Sequence, residues 1–156
     1  MIDVLCDEDV TQVVADAEIQ HLLWAMSREL LEDEREPELC IRFASDAVVA
    51  ALNLDWRQKA NVTDVLSFPM QDDHFTLDEP LGDIVLAAPF VACEAQRLGV
   101  DHAAHVQHLI IHGMLHLLGF DHIDDNEALL MQAHERHWMA YLQLHNPYPD
   151  EDNHVD

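Results

Sequence analysis

Three imidazoles stand close together in the stretch HGMLHLLGFDH, at His112, His116 and His122. Imidazole nitrogens are good ligands for zinc and related metals. On a helix, His112 and His116 would sit one turn apart, about 40° from each other around the axis. At the ~5–6 Å separation of such neighbours both can reach one ion. A straight helix cannot surround an ion, so a third ligand has to arrive from beyond it. Gly119 suits a left-handed helix end, after which the chain can turn back and bring His122 over the pair. Three imidazoles with an open fourth position is a catalytic arrangement, since structural zinc sites usually close with a fourth protein ligand. Asp121 is placed to orient one of these histidines, from behind the ligand ring or from a nearby turn. A lone histidine on an apolar face is usually a core residue and an isolated His-x-x-x-His pair is weak evidence. The triple with glycine at the turn favours the metal. His102, His105 and His108 are read as capping or supporting groups, and His21, His74, His134, His137, His145 and His154 as surface residues.

The elements that must position these groups can be read from periodicity. Residues 102–118 are apolar or small almost everywhere the histidines are not, which predicts a long, buried helix. IDVLCD reads as a strand. Asp9 with Gln12 resembles a capping box, and Val10, Val13, Val14, Ala17, Leu22, Leu23, Met26, Leu30 and Leu31 predict an amphipathic helix that Pro37 stops. ELCIRFAS alternates as a strand, Asp46 suits the N-cap of a short helix AVVAALNL, and DWRQKANVT reads as a loop. DVLSFPM and LGDIVLA read as adjacent strands joined by the acidic hairpin loop QDDHFTLDEP. Pro89 begins a helix that Gly99 ends, and Asp124 with Glu127 caps a last helix to about Leu144. Residues 147–156 are acidic and are expected to form a flexible tail. Strands gathered ahead of a run of helices predict an α+β fold, one small β-sheet of about four strands packed by about five to six helices.

With 156 residues the chain has room for one domain and a real core. A composition of 49% hydrophobic and 24% charged residues is that of a soluble globular protein, and no apolar run nears the ~20 residues of a membrane span. The first residues, MIDVLCDEDV, have neither a basic start nor an apolar signal core, so a cytoplasmic location is expected. Cys6, Cys40 and Cys93 are far apart and form no C-x-x-C pair, which predicts buried, reduced thiols. Charge is the outlier: 7 Lys+Arg against 31 Asp+Glu, a net −24. Such a surface repels nucleic acid and anionic membranes and attracts basic partners.

Zinc can bring bound water to a pKa of ~7 and polarise a phosphoryl oxygen. The spacing H-x-x-x-H-x-x-x-x-x-H is that of the zinc site in one large family of metalloproteases. Those enzymes carry a water-activating glutamate where this chain has Gly113, so peptide hydrolysis is disfavoured.

The histidine stretch also resembles the signature of the YbeY family of bacterial rRNA-maturation endoribonucleases, H-G-x-L-H-L-x-G-x-D-H. It is matched by His112, Gly113, Leu115, His116, Leu117, Gly119, Asp121 and His122. TDVLSFP at 63–69 and LGDI at 81–84 resemble further family blocks in the same order. LNLDWRQ resembles the family's L-N-x-x-[YF]-R segment, which places its functional arginine at Arg57, with Trp56 in place of Tyr or Phe. The similarity runs from about residue 38 to 145. NVT stands where the family often has a proline before its threonine.

The resemblance implies a small mixed sheet with helices in a single domain over residues 1–146, with a metal site on a central helix and the following turn. It implies Zn2+ on His112, His116 and His122, and zinc-dependent cleavage of single-stranded RNA in small-subunit (16S) rRNA 3′-end maturation and ribosome quality control. Arg57 would contact the scissile phosphate as the catalytic cation. Thr63 and Asp64 are read as turn or capping residues, and Ser67 and Asp83 as residues lining a cleft. The partners implied are rRNA, basic ribosomal proteins of the small subunit and a ribosome-assembly GTPase, with no membrane. Two rivals stand beside this reading. One is a non-catalytic ribosome-assembly module with a structural metal, which the acidic charge favours; the other is a metallopeptidase, which Gly113 opposes.

Overall fold

The computed structural model describes residues 1–149. In chain order these form β1 (Ile2–Cys6), α1 (Asp16–Leu31), β2 (Leu39–Ala44), α2 (Asp46–Arg57), β3 (Val65–Pro69), β4 (Gly82–Ala87), α3 (Ala88–Leu98), α4 (His102–Leu117) and α5 (Asp125–Tyr141). The sheet order is β1-β2-β4-β3. β1, β2 and β4 run parallel and β3 pairs antiparallel with β4 as the expected hairpin. The fold is α+β with a mixed four-stranded sheet, and the described helices number five.

Alternation along β4 divides the core. Ile84 and Leu86 join one large cluster with α1, α4 and α5, through residues such as Leu23, Met26, Ile110, Ile111 and Met139. Val85 and Ala87 point to the other face and pack with Val49 of α2 and Leu66 of β3. Because side chains change face at every residue of a strand, α4 and α2 lie on opposite sides of the same two strands. β3 forms the sheet's edge between them.

The approach of α4 to the sheet is close. Gly113 is buried, and a Cβ there would lie 3.0 Å from Ile84 Cγ2 and 3.1 Å from Ser67 Oγ. Ser67 donates its hydroxyl to the Gly113 carbonyl at 3.1 Å.

Several local expectations are corrected. α1 starts at Asp16 rather than after Asp9, and its N-cap, Ala15, makes no side-chain cap. Gln12 instead donates to Val14 O at 2.8 Å and to Asp16 Oδ1 at 2.6 Å, bracing the turn that precedes the helix. Ser45, not Asp46, caps α2 by accepting from Val48 N. Asp46 accepts from Phe90 N at 3.0 Å and so supplies the cap that α3 lacks at Ala87. Asp55, Trp56 and Arg57, read as loop, complete the last turn of α2, which ends at Gln58 with φ 56°. The cysteines are not buried: Cys6 and Cys93 are exposed and Cys40 is half-buried. Cys6 sits beside the exposed Leu5 on the edge strand β1, and Cys93 lies on the outer side of α3, whose Val91 and Ala95 face inward.

α5 ends at Tyr141, where Leu144 N returns to Met139 O at 2.9 Å. Of the tail expected to be flexible, residues 150–156 lie outside the described residues. Tyr148, within the described part, is half-buried and packed against α4 and α5.

Replacing Gly113 by glutamate is expected to destabilise the fold by about 2 kcal/mol or more, through overpacking against Ile84 and burial of a carboxylate. Urea titration measures this, and an unchanged midpoint would contradict the close contact between α4 and β4.

Candidate metal centre

The helix wheel holds in three dimensions. His112 and His116 face the same way from α4, their Nε2 atoms 3.1 Å apart. α4 closes with Leu118 N on Met114 O, Gly119 N on His116 O and Phe120 N on Leu115 O. Gly119 has φ 92°, and a Cβ there would meet the Phe75 ring at 2.8 Å. Both conditions call for glycine. The reversal carries the His122 ring to centroid distances of 5.8 Å from His112 and 5.3 Å from His116. One ligand atom from each of the three lies within 4.8 Å of the others.

Asp121 acts on His122 from the turn, its Oδ1 accepting from His122 N at 2.7 Å. The carboxylate that does hold a ligand ring is Glu135 of α5, only 1% exposed. Its Oε1 accepts from His112 Nδ1 at 3.2 Å and from His108 Nε2 at 2.7 Å, and its Oε2 accepts from the Tyr148 hydroxyl at 2.9 Å. Burial alone would push this carboxyl's pKa up, but the hydrogen bonds and charge of His108 and His112 outweigh it and hold the pKa down at about 2. With Nδ1 given to Glu135, the Nε2 lone pair of His112 is left for a ligand bond.

His116 is the most strongly perturbed of the three. Burial first, then the neighbouring His112 and His122, lower its pKa to about 4, against the weaker opposing pull of Asp121 and the Phe120 backbone. Neutral imidazole is the form that binds metals. Three converging nitrogens, one kept neutral and one tied back by a carboxylate, fit a divalent cation.

The histidines open into a groove of about 770 Å³. Its floor is the free edge of β3, through Val65, Ser67 and Phe68. Trp56 and Arg57 stand on the opposite bank, at the end of α2. Arg57 is exposed and makes no ion pair among the described residues. Trp56 is 68% exposed and meets Phe68 edge-on at 6.0 Å.

Thr63, Asp64 and Ser67 also line the groove, whereas Asp83, expected there, does not. Asp83 pairs in register with Phe68 on β4 and is half-buried, with its pKa raised by burial. Asp64 accepts from Val65 N at 2.7 Å. Burial, then the charge of Glu94, raise its pKa, and Glu94 in turn bonds His105 at 2.7 Å.

Glu135, Glu94 and Tyr148 escaped the sequence reading. A signal existed for Glu135: it shares a helical stripe with Met131, Trp138 and Met139, all buried, and a carboxylate on such a stripe needs a partner. Glu94 lies on the polar side of a surface helix, and Tyr148 in a segment with no pattern. Neither offered a comparable cue.

By fold and site the chain is an α+β domain with two histidines on a buried helix and a third on the turn behind it, close enough together to bind a metal ion. The family model described as Endoribonuclease YbeY matches residues 5–143. The Endoribonuclease YbeY of Paramagnetospirillum magneticum is 45% identical over 119 residues, 73% of each chain. That of Azorhizobium caulinodans is 40% identical over 151 residues, 94% of this chain and 95% of its own. The solution structure of TM1509 from Thermotoga maritima shares the fold, with TM-score 0.56 over 92% of each chain at 19% identity. The chain belongs to the YbeY endoribonuclease family.

The depressed pKa of His116 has a consequence for stability. In protein stripped of metal with a chelator, the unfolded state takes up this proton near pH 6.5 and the folded state only near 4. Stability should therefore fall as pH drops through that window. Thermal melts of His116→Gln are expected to show a smaller acid loss than wild type, and equal losses would contradict the shift.

Proposed function

We propose that the chain is a zinc-dependent endoribonuclease that cuts single-stranded RNA, acting in the cytoplasm in small-subunit (16S) rRNA 3′-end maturation and ribosome quality control. The observation that carries this reading is that Arg57 and the three convergent histidines open into one groove. The name of the relatives, endoribonuclease, supports RNA as the substrate. Among the described residues no helix is long and apolar enough to cross a membrane.

His112, His116 and His122 would hold the metal. The chemistry a bound zinc supplies is Lewis acidity, which activates water near neutral pH and polarises a phosphoryl oxygen. Arg57 contributes a planar, permanently charged guanidinium from the facing bank, placed to contact the scissile phosphate and stabilise the charge that builds on it in the transition state. Ser67 holds α4 against β3 and so keeps the two banks in register.

A peptidase would need a base near the metal. A side chain rooted at position 113 would start 3.0 Å from Ile84 and 3.1 Å from Ser67, where α4 packs on the sheet, and Gly113 itself does not line the groove. The non-catalytic reading draws its support from the net charge of −24. An acidic domain docks readily on basic proteins of the small subunit or with a ribosome-assembly GTPase, and such docking would deliver the site to rRNA that the free protein binds weakly.

Substituting Arg57→Ala is expected to lower cleavage of a single-stranded oligoribonucleotide by about 10²–10³-fold while zinc stays bound. Retention of full activity with bound zinc would remove Arg57 from the mechanism. Binding of the free protein to RNA should depend only shallowly on salt, since few cations are available to displace counterions. A steep slope in a log–log titration would contradict this.

A further inference from the structure

We propose that Glu135 is a positioning residue for His112, and that Tyr148 and His108 clamp it, so that the C-terminal segment of the chain is part of the metal site. This rests on the reading that the three histidines hold zinc. Glu135 is 1% exposed and lies on α5, 23 residues from His112 along the chain. A carboxylate only accepts hydrogen bonds, so each of its contacts fixes the group that faces it. His112 must carry its hydrogen on Nδ1, which leaves Nε2 bare and 3.1 Å from the Nε2 of His116. His108 must carry its hydrogen on Nε2, at 2.7 Å. Oε2 takes the Tyr148 hydroxyl at 2.9 Å, and the Tyr148 ring stands edge-on to His108 at 5.9 Å.

The geometry assigns separate tasks. Glu135 fixes the tautomer and the ring plane of His112. His108 keeps the carboxylate from swinging away along α4. Tyr148 closes the far side and shields the pair from water, where an isolated buried charge would be unstable. Carboxylate partners of this kind typically change metal affinity by about 10–100-fold when removed. The bland alternative is that the cluster only fastens α5 to α4. In that case substitutions would lower stability and leave the metal untouched.

The test uses the full chain and zinc alone, with affinity measured by competition against a chromophoric chelator and ligand geometry by the spectrum of the cobalt-substituted protein. Glu135→Gln is expected to weaken zinc binding by about tenfold or more and to shift the cobalt bands. Tyr148→Phe keeps the ring and removes one donor, and is expected to weaken binding by about fivefold, the effect of one hydrogen bond. If Glu135→Gln does not fold, Tyr148→Phe carries the test by itself. The inference is overturned if the folded variants bind zinc within about twofold of wild type with an unchanged cobalt spectrum, whatever their melting temperatures. A wild-type chain that binds no zinc overturns the metal reading itself, and the inference with it.

Discussion

The contact of Gly113 with Ile84 and Ser67 sets the distance between α4 and the sheet, and the rest of the site depends on that distance. With no side chain in the way, α4 comes down onto β3 and β4 on its apolar flank and leaves its histidine flank along the edge of β3. The same edge strand is covered on its other face by α2, whose last turn ends in Trp56 and Arg57. A groove with a cation on one bank and three imidazoles on the other follows from two helices packed on opposite faces of one hairpin. A larger residue at 113 would lift α4 and separate the two banks.

The polar groups behind the histidines obey the usual rule for buried charge. Glu135 is tolerable in the core because three donors converge on it, and Asp64, Glu94 and His105 form a second chain behind the groove. These networks join α3, α4, α5 and the segment after α5, so His112 is braced by groups from distant parts of the chain. In a protein with a net charge of −24, one arginine, Arg57, lines the same groove as the three histidines.

Elements whose signals are local were legible: the i, i+4 histidines on a helix, the glycine turn, the β3–β4 hairpin, and α3 between Pro89 and Gly99. The misreadings came where a side chain had a choice of partners. Asp46 looks like the cap of α2 but serves α3, because Ser45 is one residue better placed and the start of α3 needs an acceptor. Arg57 looked like a loop residue because polar side chains surround it, yet the helix runs on to it where Trp56 rests on Phe68. The cysteines looked buried because their neighbours are apolar, and only the direction of each side chain shows that two of them face solvent.

The sequence by itself determined the cluster of three histidines and its approximate geometry. His112, His116 and His122 lie on one helix and the turn that follows, and a 3.6-residue period plus one left-handed glycine dictate where they point. Tertiary structure alone decided what faces them. Arg57 reaches the groove through the packing of α2 across the sheet, and Glu135 and Tyr148 through the return of the chain over α4. Such contacts join residues far apart in the chain, and no local periodicity encodes them.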